Sequence, residues 1–323
     1  MPPKNIVSSV DSASSVVNRF SSSSYDNNVH APFPILPAVI ALALLLIPLF
    51  AFGFAGETCV RAAQSLSTPL RLTLPAVLAL PYLIVAIASH NLALPWLLVY
   101  LLVPVLIAAL EALATRLDPK QRGQLLDFLV LIPLGLSVDL RWLEPAWPPK
   151  LGLLGKLTLL DAGLYAFLAV RCLTAVGYNL RFRWRDGRTG LREFLFYLPI
   201  AVPLGLALGF LHFHRHIDHP WLIIPAWLFT FIGVALPEEI FFRGWMQNLL
   251  ERRIGRTAAL LVTAAVFGLS HFNKRAAFFN WRYVLLAAIA GIFYGRAWRQ
   301  DHRIAASAIT HSTVDTLWGA LLR

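Results

Sequence analysis

Charge is scarce in this chain. Asp, Glu, Lys and Arg make up 14% of its 323 residues, where a soluble globular domain carries about 25%, and that deficit excludes an ordinary water-soluble fold. Acidic residues are the scarcer kind, 17 against 28 Lys and Arg, for a net charge of +11. In a soluble protein such an excess would suggest a nucleic-acid partner. Here none is implied, because cytoplasmic loops of membrane proteins collect Lys and Arg. Cysteine is nearly absent: Cys59 and Cys172 stand far apart with no C-x-x-C pair, which leaves no disulfide framework and no cysteine metal site. There is little period-2 alternation of apolar residues, which argues against a membrane β-barrel, and no internal repeat of the kind that builds solenoids.

What the chain has is apolar length. Hydrophobic residues reach 58%, with a mean hydropathy of +0.64. Ten stretches, at 33–54, 72–88, 94–110, 125–136, 157–176, 194–213, 221–250, 257–272, 283–294 and 304–322, approach or exceed the ~20 residues that a ~30 Å hydrocarbon layer requires. Leu, Ala and Phe dominate them, so the predicted fold is all-α, a polytopic transmembrane bundle of about 8–10 helices. Ahead of them, residues 1–32 hold nine serines and no bulky apolar run, a composition that predicts a disordered tail. With the N-terminus outside, the loops at 55–71, 115–124, 177–193, 252–256 and 295–303 hold sixteen basic residues and the outside segments nine, the asymmetry of a cytoplasmic face.

Two basic or polar clusters have plain readings. Arg181-Phe-Arg-Trp-Arg-Asp-Gly-Arg188 reads as an interfacial loop with a Trp anchor rather than a nucleic-acid reader. His212, His214 and His216 alternate by two at the end of a span, with His219 three further on, which suits an interfacial loop better than one face of a helix. Ionisable groups inside a span are different, because each costs roughly 2.5–3.5 kcal/mol to insert and is a functional candidate by default. In the first half, Lys156 lies near a span start, and Asp161 and Arg171 read as structural pairs with neighbouring helices.

The last ninety or so residues differ in kind. Leu236-Pro-Glu-Glu-Ile-Phe-Phe-Arg-Gly-Trp245 sets Glu238, Glu239 and Arg243 within one apolar run, His271 ends the next, and His311 and Asp315 lie in the last. Glu239 and Arg243 are i,i+4 and can pair on one face, as can His311 and Asp315. Glu238, rotated ~100° from Glu239, faces elsewhere. The basic, Gly-containing segment 252–256 marks a turn centred near residue 254.5, with Glu238 16.5 residues before it and His271 16.5 after it. If the flanking helices run antiparallel, a carboxylate and an imidazole meet at one depth, ~25 Å from the turn.

These residues resemble the CPBP family of intramembrane glutamic-type proteases, which includes CAAX prenyl endopeptidases and bacteriocin-processing (Abi) proteins. Its motifs EExxxR, FxxxH and HxxxN/D read here as Glu238-Glu-Ile-Phe-Phe-Arg243, Phe267-Gly-Leu-Ser-His271 and His311-Ser-Thr-Val-Asp315. The resemblance covers roughly residues 190–323, so the chain divides into the tail, N-terminal membrane helices at 33–190 and a CPBP-like core at 191–323.

The resemblance implies an endopeptidase in which Glu238 and His271 activate a water, with Glu238 as general base. His311 would stabilise the oxyanion, and Asp315, which stands where eukaryotic members have Asn, would orient His311 or act as a protonated donor. Glu239 and Arg243 are assigned to a structural ion pair. No cofactor is called for. An alternative within enzymes is a His2Glu zinc site made of Glu238, His271 and His311, although no H-E-x-x-H is present. The non-enzyme alternative is a transporter or idle scaffold. The expected partners are the lipid bilayer and a membrane-associated or lipid-modified protein or peptide substrate, and the expected location is a bacterial plasma membrane.

Overall fold

A chain buried in lipid must satisfy its backbone hydrogen bonds internally, and the ten apolar stretches do so as ten helices. The computed structural model describes residues 34–213, 220–274 and 278–322. The serine-rich tail, and His214, His216 and His219 of the histidine cluster, lie outside the described residues. In chain order the helices are α1 (Ile35–Ser65), α2 (Thr68–Ala88), α3 (Leu94–Leu117), α4 (Leu125–Asp139), α5 (Gly152–Val170), α6 (Trp184–Ala207), α7 (Pro220–Ile254), α8 (Arg256–Leu269), α9 (Trp281–Asp301) and α10 (Ile304–Leu321). There is no strand among the described residues.

Six of them, α1, α2, α3, α5, α6 and α7, are long and apolar enough to cross a membrane. The protein is an integral membrane protein with a polytopic helical fold. Helices α4 and α8, at 15 and 14 residues, are short for a perpendicular span. Helix α9 has the length, 21 residues, but carries Arg282, Arg296, Arg299 and Asp301. Helix α10 is diluted by Ser, Thr, His and Asp.

The helices gather into two compact units. One takes the described part of Val29–Arg181 together with Gly244–Arg256, the other Phe182–Arg243 and the chain from Thr257 on. Within the first unit, the organising residue is Arg171, fully enclosed just past the end of α5. Its Nε donates to Asp127 at 2.8 Å, its Nη2 to the Asp118 carboxylate at 2.9 Å and its Nη1 to the Asp118 carbonyl at 2.9 Å. Glu111 stands 3.8 Å away. Asp127 also caps the start of α4 by accepting from the Gln124 backbone N–H. Burial pushes Asp118 up, but hydrogen bonds from the Arg122 and Gly123 backbone and from Arg171 outweigh it and hold the carboxyl below its ordinary range.

The expected structural pairing therefore holds for Arg171. It does not hold for Asp161, whose carboxylate is buried with neither oxygen in a hydrogen bond among the described residues. Two other readings change in detail. Lys156 faces Glu144 at 3.7 Å rather than only snorkelling. The stretch 181–188 is only partly a loop, because α6 begins at Trp184 and carries Arg185 and Arg188 on its first turns. The distal end of α7 belongs to this first unit as well: Trp245 stacks on Phe167 with centroids 4.9 Å apart, Asn248 and Arg252 donate to the Thr174 carbonyl at 2.8 and 2.7 Å, and Arg253 donates to Gly123 O. Gly255, at φ +79°, ends α7 in the left-handed region that glycine tolerates, and α8 starts at the next residue.

Within the second unit, α6, α9 and α10 pack on one another, and α10 also packs on α7. Close approach is bought with small residues, as is usual between membrane helices. A Cβ on Gly268 of α8 would lie 2.5 Å from the Val284 carbonyl of α9. Ion pairs tie α6 to its neighbours: a buried one in which Arg303 donates to Asp186 at 2.7 Å, and one from the half-exposed Arg296 to the buried Glu193 at 2.9 Å.

Removing one partner of a buried ion pair typically costs about 3–5 kcal/mol, because the other charge stays buried. Arg171→Ala leaves Asp127 and Glu111 without their cation, so its thermal midpoint in detergent is expected to fall well below wild type, whereas Arg185→Ala, whose pair with Asp301 is largely exposed, should leave it nearly unchanged. Equal midpoints for the two variants would contradict the role given to Arg171.

Candidate active site

Helix α7 carries the first motif across an irregular stretch. Proline cannot donate to an α-helical ladder, and its ring presses on the carbonyl four residues earlier, which here is Gly233. That carbonyl lies in a π-helical segment, Phe231–Ala235, and a second π segment covers Ile240–Gln247. The widened turns let the helix pass through Pro237 unbroken, so the glutamates sit in a continuous helix. Single π turns inside α-helices often mark functional positions.

The register anticipated from the turn pairs residue 242 with residue 267. In the structure the Phe242 and Phe267 rings meet edge-to-face at 5.0 Å, and the Arg243 guanidinium lies 4.8 Å over the Phe267 ring. One turn on from Phe267, His271 lies at the end of α8, 7% exposed. Its Nδ1 donates to the Phe267 carbonyl at 2.8 Å, which leaves Nε2 with its lone pair free to accept.

Glu239 does more than pair with Arg243. The expected ion pair is present at 2.9 Å between fully buried side chains, and Arg243 also donates to the Gly291 carbonyl of α9 at 2.9 Å. The same carboxylate accepts from His311 Nδ1 at 2.8 Å and from the Ser307 hydroxyl. Glu239 thus joins α7 to α10 and holds His311 at Nδ1, an orienting contact the sequence reading did not assign to it. Asp315, expected to orient His311, stands 3.4 Å from Nε2, with Glu238 at 3.9 Å from the same nitrogen. Both ring nitrogens face carboxylates, and an imidazole that carries two N–H groups can donate to both sides. Tyr294 of α9 stacks flat on the imidazole, centroids 4.5 Å apart at 16°.

Glu238 points away from this bond network. Its side chain is 29% exposed, yet Oε2 is enclosed and has no hydrogen-bond partner among the described residues. On the side of His271, His311 and Asp315 lies a cavity of about 60 Å³ that Glu238 itself does not line, bounded mainly by apolar side chains of α6, α9 and α10. Its polar lining is His271, His311, Asp315, Tyr197, Tyr283 and Tyr294. Among the described residues, no group of three His, Cys, Asp or Glu is arranged to hold a metal ion, Glu238, His271 and His311 included.

Sequence reasoning missed Ser307 and Tyr294. Ser307 had a signal, since 307, 311 and 315 recur every four residues and form one polar stripe on α10. Tyr294 had none, because an aromatic residue in an apolar run reads as packing.

Residues 220–317 match the family model described as type II CAAX prenyl endopeptidase Rce1-like. This segment belongs to the CAAX protease family. The match takes in all three motifs and supports the wider CPBP assignment, and the family is one of proteases, so the chain is an enzyme of the CAAX-protease type. Helices α1–α6 lie outside the matched residues. No curated protein and no solved structure matches the chain.

The geometry sets a test for the Glu239–Arg243 pair. Arg243→Ala removes the cation from a buried carboxylate and should destabilise by about 3–5 kcal/mol, read as a lowered thermal midpoint. The exchanged double variant, Glu239→Arg with Arg243→Glu, would restore a simple i,i+4 pair. It should not restore stability, because a glutamate would face the Gly291 carbonyl and an arginine would face His311. Recovery to near wild type would show that the pair acts alone and that the His311 and Ser307 bonds contribute little.

Proposed function

We propose that the protein is an intramembrane endopeptidase that hydrolyses a peptide bond of a membrane-associated substrate with a water activated by Glu238 and His271. The observation that carries this reading is the enclosed, unbonded Oε2 of Glu238 beside His311, in a segment that matches a CAAX endopeptidase family. A buried carboxylate oxygen without a donor is costly, and a water held there would supply the missing hydrogen bond and lose a proton to the same atom. Nε2 of His271, unprotonated because Nδ1 donates to Phe267, can accept from that water or pass its proton to the leaving amine. His311, set by Glu239 and stacked on Tyr294, offers an N–H to the developing oxyanion. Asp315 bears on the same Nε2 and tunes its direction.

No metal takes part in this reading, so prolonged chelation should leave turnover intact, whereas a zinc enzyme would lose it. The substrate is a membrane-anchored or lipid-modified protein, in keeping with the family's description as a CAAX prenyl endopeptidase. The membrane is taken to be a bacterial plasma membrane, with the turn at 252–256 on the cytoplasmic side.

Two measurements test the proposal. Mass spectrometry of protein termini, in cells expressing wild type or variants, should reveal cleavages lost in Glu238→Gln, His271→Ala and His311→Ala, each with turnover down at least about 10²-fold while the protein stays folded in the membrane. Asp315→Asn should be milder than Asp315→Ala, since Asn can still hydrogen-bond. Near-normal turnover in any two of the first three variants would sink the assignment. For orientation, a cysteine placed at Gly255 should resist an impermeant thiol reagent in intact cells and one at Asn273 should react. The reverse pattern would invert the topology and leave the chemistry standing.

A further inference from the structure

Where the cavity meets the histidines, two acceptors stand against one imidazole N–H. His271 Nε2 accepts, since its Nδ1 carries the proton that Phe267 receives. A carboxylate such as Asp315 accepts only. Negative charge that develops on a carbonyl oxygen in this space would meet one N–H, from His311, beside two acceptors.

Two phenols balance this. Tyr197 of α6 and Tyr294 of α9 both line the cavity with His311 and Asp315. Neither hydroxyl takes part in a hydrogen bond among the described residues, and neither is sealed away as an enclosed unpaired atom, so each can offer its proton to an occupant of the cavity. Their placement differs. Tyr294 is 1% exposed and committed face-on to the His311 ring. Tyr197 is half-buried, braced only along its ring by Phe293, edge-on at 5.8 Å. It interacts electrostatically with Asp315. It stands on α6, outside the family-matched residues 220–317.

We propose that Tyr197 is a further catalytic residue, whose hydroxyl donates a hydrogen bond to the substrate carbonyl as it becomes the oxyanion, paired with the N–H of His311. The role rests on the endopeptidase reading above. No proton is transferred to or from Tyr197: the water's proton goes to Glu238 or His271 and on to the leaving amine, and the phenol stays protonated throughout. Tyr294 is a positioning residue that holds the imidazole plane.

The test is a double-variant cycle in the full chain expressed in cells, with the appearance rate of wild-type-dependent protein termini as readout and thermal midpoint as folding control. Tyr197→Phe keeps the ring and its packing, and should slow those cleavages about 10²- to 10³-fold, the usual cost of losing one oxyanion donor, at an unchanged midpoint. Asp315→Asn supplies a new amide donor in the same space, so the Tyr197→Phe loss measured in that background should shrink by at least about tenfold. Wild-type rates in Tyr197→Phe, with cleavage abolished in Glu238→Gln, would overturn the tyrosine's role and leave the protease reading intact. An equal loss in both backgrounds would also overturn it as an oxyanion donor. Cleavage that persists in Glu238→Gln would overturn the protease reading, and this one with it.

Discussion

One carboxylate organises the catalytic end of this protein. Glu239 is fully buried and accepts from a guanidinium, an imidazole and a hydroxyl, two of which sit on another helix. In an environment without water a lone carboxylate would be prohibitive, and the energetic case for burying it rests on all its partners being in place. That requirement fixes the register of α7 against α10. The Ser307 hydroxyl lies within hydrogen-bond reach of both the Glu239 carboxylate and the Tyr294 carbonyl and shares its one proton between them, which brings α9 into the same arrangement. Arg243 reaches α9 a second time at Gly291. The imidazole of His311 has no freedom left to rotate, because Nδ1 is bound below and Tyr294 covers its face.

Against that fixed network, the enclosed oxygen of the neighbouring glutamate has no hydrogen-bond partner among the described residues. The division of labour between adjacent residues comes from helix geometry: side chains ~100° apart on a helix cannot share one set of partners. The π segments on either side of Leu236–Glu239 make the arrangement possible without a break at Pro237. Beyond Arg243 the same helix continues into a different set of contacts, where Trp245, Asn248, Arg252 and Arg253 are held by residues of the N-terminal unit. The first motif therefore sits on a helix whose distal end is anchored by the helices that lie outside the family match.

How much of this was legible in the sequence follows from what each signal encodes. Ten apolar runs mark ten helices because hydropathy is a local property of composition, readable without partners. The contact of Phe242 with Phe267 fits the register in which Glu238 is level with His271, because each pair is equidistant from the turn centre near residue 254.5. The Glu239–Arg243 pair was legible because i,i+4 neighbours meet on any helix. What was not legible is everything that depends on a third element. Glu239 and His311 are 72 residues apart, and nothing local says that the second glutamate, as well as Asp315, meets the imidazole. Arg171 is the converse case: its burial was foreseeable, but its partners Asp118 and Asp127 stand at the edges of loops where acidic residues read as solvated. The unpaired Asp161 in α5 has no physical account here.

The cavity adds a constraint that motif reading does not contain. Three motifs supply two carboxylates that face His311 Nε2 and one imidazole, His271, whose free nitrogen accepts, a set suited to taking protons from water and ill-suited to receiving negative charge. Hydrolysis of a peptide bond needs both abilities within a few ångströms, and in a low-dielectric site neither can be borrowed from solvent. The donors must come from side chains whose own protons are not already spent. Backbone N–H groups of the surrounding helices are committed to their ladders, and Ser307 and Arg243 are committed to Glu239. That leaves His311 and the phenols that project from α6 and α9. The wall of the cavity contributed by α6 is thus more than apolar filling: Tyr197 brings a phenol to it from a helix that the family's own motifs do not reach.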